Sequence, residues 1–142
     1  HSAVKPTFGY RIDYGGHVVV LSGDTYSSEN LIKRAQGVDV LVHEVVADKM
    51  VLAERGNTER TKKTIATHTT PEQAGEVFAR VQPKLAVFNH VIPVEATAKE
   101  LIPPTRKTYA GYVEVGEDLM VIEIGDKVTV RRPISPSKSS AR

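Results

Sequence analysis

Three short apolar segments, separated by stretches with helix signals, constrain the fold of this chain more than any other feature. They are His17–Leu21, Val38–Val42 and Leu85–Phe88. Apolar runs of this length between helices are typical of strands that are covered on both faces, so they predict the sheet of an α/β domain. The pair Gly15-Gly16 is a two-residue hairpin signal, and it predicts that Phe8–Tyr14 pairs with the first of these strands.

Helix signals lie between these strands. Ser27 or Ser28 is placed to cap a first helix, and a second is expected over Ala47–Arg55. Thr70-Pro71-Glu72-Gln73 combines a capping box with a proline in the first turn, which predicts a third helix. Three weaker segments are expected to form an exposed loop, a short helix that is broken by two prolines, and a closing antiparallel meander: residues 57–67, 96–101 and 112–131.

The composition excludes several classes of protein. The 142 residues are the length of one domain, and 40% of them are hydrophobic, so a folded core is expected. A formal charge of +2 is too small to indicate nucleic-acid binding, and no apolar run reaches the roughly eighteen residues of a membrane span. Because there is no cysteine, a metal site would have to use His, Asp and Glu.

Residues that bind metals or carry protons follow the predicted strands. Gly23-Asp24-Thr25 ends the first, His43-Glu44 the second and Asn89-His90 the third, while His68 precedes the Thr70 helix. The functional crevice of an open α/β sheet lies beyond the carboxyl ends of its strands. The pattern therefore predicts a site at one edge of the sheet.

Each of these residues also has an ordinary structural interpretation. Asp24 alone could be a turn residue, His90 a core histidine, His68 part of a helix start and Glu44 a strand-end carboxylate. His43 is interpreted as structural. Only the ordered series favours function.

That series runs from His1 through Phe8-Gly9-Tyr10-Arg11-Ile12, Gly23-Asp24-Thr25, His43-Glu44 and His68-Thr69-Thr70 to Asn89-His90. It resembles the second half of a metallo-β-lactamase-fold hydrolase, of the ribonuclease Z and arylsulfatase-like branch. The resemblance extends to about Ile124, and the segments 106–111 and 115–119 are similar to the arylsulfatase-like members. It implies an αβ/βα fold whose C-terminal half has a mixed sheet with helices on one face.

The resemblance also implies roles for five residues. His1 would bind a first metal ion, Asp24 would bridge two, and His90 would bind the second. His68 would donate a proton to the leaving oxygen, and Glu44 would orient His68. Two zinc ions, with the metal identity open, would then generate a hydroxide nucleophile and offset the charge of a phosphoryl or sulfuryl group.

One departure concerns the length of the chain. The family's main motif, His-x-His-x-Asp-His, is absent, which leaves two protein ligands for each metal ion where catalytic zinc keeps three. We therefore expect residues 1–133 to be a C-terminal half, followed by a disordered tail at 134–142, and to require an N-terminal half of the same enzyme.

A second departure concerns the substrate. Val91-Ile92-Pro93 follows His90 where ribonucleases Z carry a phosphate-binding arginine, which favours a small phosphodiester or sulfate ester over nucleic acid. The alternatives are a ribonuclease Z-type tRNA 3′ endonuclease and a non-catalytic partner-binding module. An apolar face without its other half could also form a homodimer. No membrane partner is expected.

Overall fold

A mixed five-stranded sheet, with helices packed on one face, forms the body of the computed structural model, which describes residues 6–133. The strands are β1 (Tyr10–Tyr14), β2 (His17–Leu21), β3 (Val40–Val46), β4 (Leu85–Ile92), β5 (Val113–Val115), β6 (Val121–Ile124) and β7 (Val128–Arg131). The helices are α1 (Glu29–Arg34), α2 (Asp48–Arg55), α3 (Glu59–Ala66), α4 (Pro71–Val81) and α5 (Ala98–Thr105). His1 and the predicted tail at 134–142 lie outside the described residues.

The strand order is β1-β2-β3-β4-β5, and only the β1–β2 pair is antiparallel. The predicted Gly15-Gly16 hairpin joins that pair, with Tyr14 opposite His17. The remaining neighbours are parallel, so β2, β3 and β4 all run toward the same edge. This common direction is what brings their carboxyl-end residues together.

Buried side chains on the two faces of the sheet form two cores. Residues of α1, α4 and α5 pack with Val20, Leu41 and Phe88 on one face. On the other face, Val40 and Leu85 pack against the β6–β7 hairpin. No helix within residues 6–133 is long and apolar enough to cross a membrane.

Helix α4, which follows His68 in the chain, begins at the predicted Thr70 cap. The Thr70 side chain accepts from the Gln73 amide, and the Gln73 side chain accepts from the Thr70 amide. This reciprocal pair satisfies two backbone donors that the first turn would otherwise leave unpaired. The start of α4, and with it the position of the preceding residues 68–69, is set locally.

Three sequence predictions about secondary structure are wrong. Residues 57–67 are largely helical, because Thr58 caps α3 by accepting from the Thr61 amide. Helix α5 is not broken by Pro103-Pro104 but continues through both prolines to Thr105. The Thr105 hydroxyl donates to the Pro71 carbonyl at the start of α4. The C-terminal strands do not form one meander: β5 joins the main sheet parallel to β4, and β6–β7 is a separate hairpin.

Candidate metal centre

Asp24 is held by a turn that requires glycine before it. Gly23 has φ of +66°, and a Cβ there would lie 2.2 Å from the Phe8 carbonyl oxygen. Any other residue would be strained and would clash with Phe8, which lies just before β1. The Asp24 side chain, about half exposed, stands directly after β2.

His90 owes its position to a β-bulge. Glu44 pairs with Asn89 and Val45 pairs with Val91, so His90 is the extra residue between them. Its φ is +41°, an uncommon conformation for a residue with a Cβ. Bulges often redirect a side chain next to a functional site. Here the bulge leaves His90 exposed, and its ring lies 5.9 Å from that of His68 between centroids.

Glu44 is fully buried in the interior of β3 and contacts two neighbouring residues. Its Oε2 lies 3.0 Å from His68 Nδ1, and its Oε1 accepts from the Thr69 amide at 2.7 Å. The His68 Nδ1 also lies 3.2 Å from Asp24 Oδ1. A carboxylate in this position fixes both the orientation and the tautomer of an imidazole.

Together these residues form the candidate metal centre: Asp24, Glu44, His68 and His90. Each offers one ligand atom, and these atoms all lie within 4.8 Å of one another. Imidazole nitrogen and carboxylate oxygen are ligands that zinc accepts in proteins. The donor set therefore fits a divalent metal ion.

Burial shifts the pKa values of the two inner residues in opposite directions. Desolvation raises the pKa of the Glu44 carboxyl to about 8, although its hydrogen bonds with Thr69 oppose the shift. Desolvation also lowers the pKa of the His68 imidazole, against the attraction of Asp24. Burial is the leading cause of both pKa shifts, because it penalises the charged form of each group.

Two supporting residues were not singled out from the sequence. The Ser22 hydroxyl accepts from the Glu44 amide at 3.1 Å and donates to the Gly23 carbonyl, so it ties the Asp24 turn to β3. Thr69 donates to Glu44 through its amide and to the Thr25 carbonyl through its hydroxyl. The only sequence signal was their position next to Asp24 and His68.

The structure brings together four of the five predicted site residues, Asp24, Glu44, His68 and His90, whose individual roles remain predictions. The fifth, His1, lies outside the described residues. Glu44 and His90 stand inside β3 and β4, rather than at the strand ends expected from the sequence.

The interpretation of His43 as structural agrees with its environment. Its side chain is fully buried and packs edge-on against Phe78. Its Nδ1 donates to the Glu44 carbonyl at 2.8 Å, whereas Nε2 has no hydrogen-bond partner among residues 6–133. Desolvation lowers the pKa of His43 to about 4.

This burial predicts an acid-sensitive fold. A histidine with a folded pKa of about 4 and an ordinary value of 6.5 binds its proton more readily when unfolded, so stability is full above pH 6.5 and lost toward pH 4. The expected loss is about 2 kcal/mol at pH 5. Urea unfolding gives the free energy of unfolding of the wild type and of His43→Gln at pH 7 and pH 5. The wild type should lose about 2 kcal/mol more between these pH values than His43→Gln does. The raised pKa of Glu44 stabilises the folded state as the pH falls, which opposes the effect of His43. It does so equally in both proteins, so the comparison removes it.

His17→Gln is the matched control, because His17 is partly exposed at the sheet edge, 3.6 Å from Asp39. It should retain the loss of stability that is assigned to His43. An identical pH dependence in His43→Gln and wild type would contradict the assignment.

Comparison with known proteins identifies the family. The profile of the "Beta-lactamase superfamily domain" matches residues 1–91, which is more than half of the chain. The chain belongs to the metallo-β-lactamase superfamily. This metal-dependent superfamily accounts for the candidate metal-binding group. The match also agrees with the α/β fold and mixed sheet predicted from the sequence.

Relatives within the superfamily are ribonucleases Z. The chain is 32% identical over 126 residues to ribonuclease Z from Mycobacterium avium, covering 87% of this chain and 44% of the relative. It is 31% identical over 128 residues to a putative ribonuclease Z from Mycobacterium tuberculosis, covering 87% and 55%. The chain thus spans about half the length of the curated relatives it matches, and it is homologous to enzymes over most of its own length.

A solved structure supports the fold. The metallo-β-lactamase-fold protein YhfI from Bacillus subtilis superposes with a TM-score of 0.57 at 20% identity, over 75% of this chain and 40% of that one. At this identity the likeness concerns the fold alone.

Proposed function

We propose that this chain supplies half of the metal centre of a ribonuclease Z-type phosphodiesterase that cleaves tRNA at its 3′ side. The observation that carries the proposal is the clustering of Asp24, Glu44, His68 and His90 within 4.8 Å, in the chain order of the resemblance. The curated relatives named ribonuclease Z support the substrate class. They favour this alternative over the small-ester and sulfate interpretation of the sequence.

Asp24 and His90 would hold the metal ions from this chain, with His1 as a further proposed ligand. Asp24 offers two carboxylate oxygens and stands half exposed, as a bridging ligand requires. Two bound zinc ions would lower the pKa of a water molecule and offset negative charge on the phosphoryl oxygens. The number and identity of the ions are part of the proposal.

His68 would act as the general acid. Its Nδ1 faces Glu44 at 3.0 Å, so Nε2 is the nitrogen assigned to deliver a proton to the leaving oxygen. Glu44 accepts from the Thr69 amide as well, and it therefore holds the ring in one orientation. An imidazole that is held in one orientation by a neighbouring carboxyl group is positioned to give a proton to the leaving oxygen.

The exposed side of β1 is the proposed contact with an N-terminal half of the enzyme. Tyr10, Ile12 and Tyr14 alternate along one face of this edge strand and are 65%, 52% and 85% exposed. Large exposed apolar side chains in a row are typical of an interface. A homodimer through this face is the competing outcome, and the mass of the isolated chain in solution distinguishes the two.

The isolated chain is expected to be inactive. Two protein ligands for each metal ion leave the site incomplete, so zinc-supplemented chain should hydrolyse neither a phosphodiester nor an aryl sulfate above background. The measurement uses bis(4-nitrophenyl) phosphate and 4-nitrophenyl sulfate, with His90→Gln as the blank. Zinc-dependent turnover by the wild-type chain would show that no second half is needed.

The enzyme reconstituted with its N-terminal half tests the substrate class. We expect cleavage of a precursor tRNA with a 3′ trailer and no release of 4-nitrophenol from the aryl sulfate. A metal-loaded enzyme that hydrolyses the sulfate and leaves the RNA intact would overturn the proposed substrate. One that binds metal and hydrolyses neither would favour the non-catalytic module.

A further inference from the structure

A pocket of about 640 Å³ is lined by residues of β1, β2 and α1 and of the loop that carries Asp24. Its lining includes the apolar residues Val20 and Leu31, together with Ser22 and Thr25, which flank Asp24 in the chain. Small-molecule sites commonly have this size and this mixture of apolar and polar lining.

The charged side chains that line the pocket are all positive. Arg11 and Arg34 are among its lining residues, which include no Asp or Glu. Arg11 is already committed, because it pairs with both carboxylate oxygens of Asp13 and donates to the Arg34 carbonyl. Arg34 is exposed in the last turn of α1 and forms no salt bridge with any residue between 6 and 133. Its guanidinium is therefore available to an anionic ligand.

Tyr26 supplies an aromatic side chain to the same lining and is 47% exposed. Aromatic side chains stack on nucleobases of any sequence, and arginine binds phosphate through paired donors. An exposed tyrosine and an available arginine together match the base and the phosphate of a nucleotide better than they match a small ester.

The pocket and the metal centre share one loop. The Ser22 hydroxyl accepts from the Glu44 amide, and the Thr25 carbonyl accepts from the Thr69 hydroxyl at 3.2 Å. Asp24 lies between these two anchors. A ligand in the pocket would therefore contact the loop that carries the residue proposed to bridge the metal ions.

We propose that this pocket binds a nucleotide next to the scissile phosphodiester, with its base against Tyr26 and a phosphate at Arg34. The inference rests on the proposed function, since it names the subsite that would hold the RNA.

Binding to the chain can be measured without turnover. In metal-free buffer, adenosine 5′-monophosphate should shift the amide resonances of Thr25, Tyr26 and Leu31, and adenosine or inorganic phosphate alone should shift them less. Shifts confined to other residues, or equal shifts with phosphate alone, would overturn the nucleotide assignment. Because no hydrolysis is involved, this result stands apart from the proposed activity.

Matched variants test the two contacts. Arg34→Gln should weaken nucleotide binding by about 10-fold or more, the size expected for one charged hydrogen-bonded contact, whereas Lys33→Gln removes the same charge one residue away and should not. Tyr26→Ala should weaken binding similarly, with Tyr112→Ala as its control, because Tyr112 is 44% exposed and lies outside the pocket lining. In the reconstituted enzyme, Arg34→Gln should raise KM for RNA, and Lys33→Gln should not. Equal behaviour of Arg34→Gln and Lys33→Gln in both assays would reject the pocket.

Discussion

Replacing Asp24 with asparagine should abolish metal-dependent hydrolysis by the reconstituted enzyme. Removing a group that only supports a metal ligand costs roughly 10- to 100-fold, so losing the carboxylate that is proposed to bridge the ions should cost more than about 100-fold. Asparagine keeps the shape of the side chain and removes its charge, which would leave the two proposed cations without a shared anion. The measurement is zinc content by elemental analysis together with RNA cleavage, and both should fall.

Asp126→Asn is the matched control, because Asp126 lies in the exposed turn between β6 and β7. It should retain the zinc and the activity of the wild type. If Asp24→Asn also retained both, Asp24 would be a turn residue and not a metal ligand.

Replacing His68 with glutamine should lower RNA cleavage by about 100- to 10,000-fold, the range of general acid catalysis, while zinc content stays normal. The effect should depend on the leaving group. A ribose oxygen needs a proton as it departs, whereas 4-nitrophenolate does not. Hydrolysis of bis(4-nitrophenyl) phosphate should therefore fall far less than RNA cleavage.

His17→Gln controls for the loss of a histidine at the sheet edge and should affect neither substrate. An equal loss on both substrates in His68→Gln would show that the residue binds metal or maintains the fold, instead of donating a proton. The distinction matters because His68 is itself one of the four clustered donors.

Local signals in the sequence were sufficient for much of the fold. The Gly15-Gly16 turn and the Thr70–Gln73 capping box depend on a few adjacent residues, and both form as expected. Helix α3 was missed because its buried side is almost entirely polar, with Thr61 as its buried residue. The partner of β5 could not be inferred, since strand pairing is set by tertiary contacts more than by local sequence.

The candidate site was accessible from the sequence through the types and order of its residues, and its geometry was not. Nothing local indicates that His90 adopts a positive φ, because the bulge arises from the register between β3 and β4. The burial of Glu44 depends likewise on neighbours from two separate segments, one with Ser22 and the other with His68 and Thr69.

Anomalous diffraction from zinc-loaded crystals of the reconstituted enzyme tests the central claim most directly. We expect zinc peaks about 2.0–2.2 Å from an Asp24 carboxylate oxygen and from a His90 ring nitrogen, with Glu44 behind His68 and outside bonding distance of the metal. Zinc bound elsewhere on the chain, with Asp24 and His90 both bare, would contradict it.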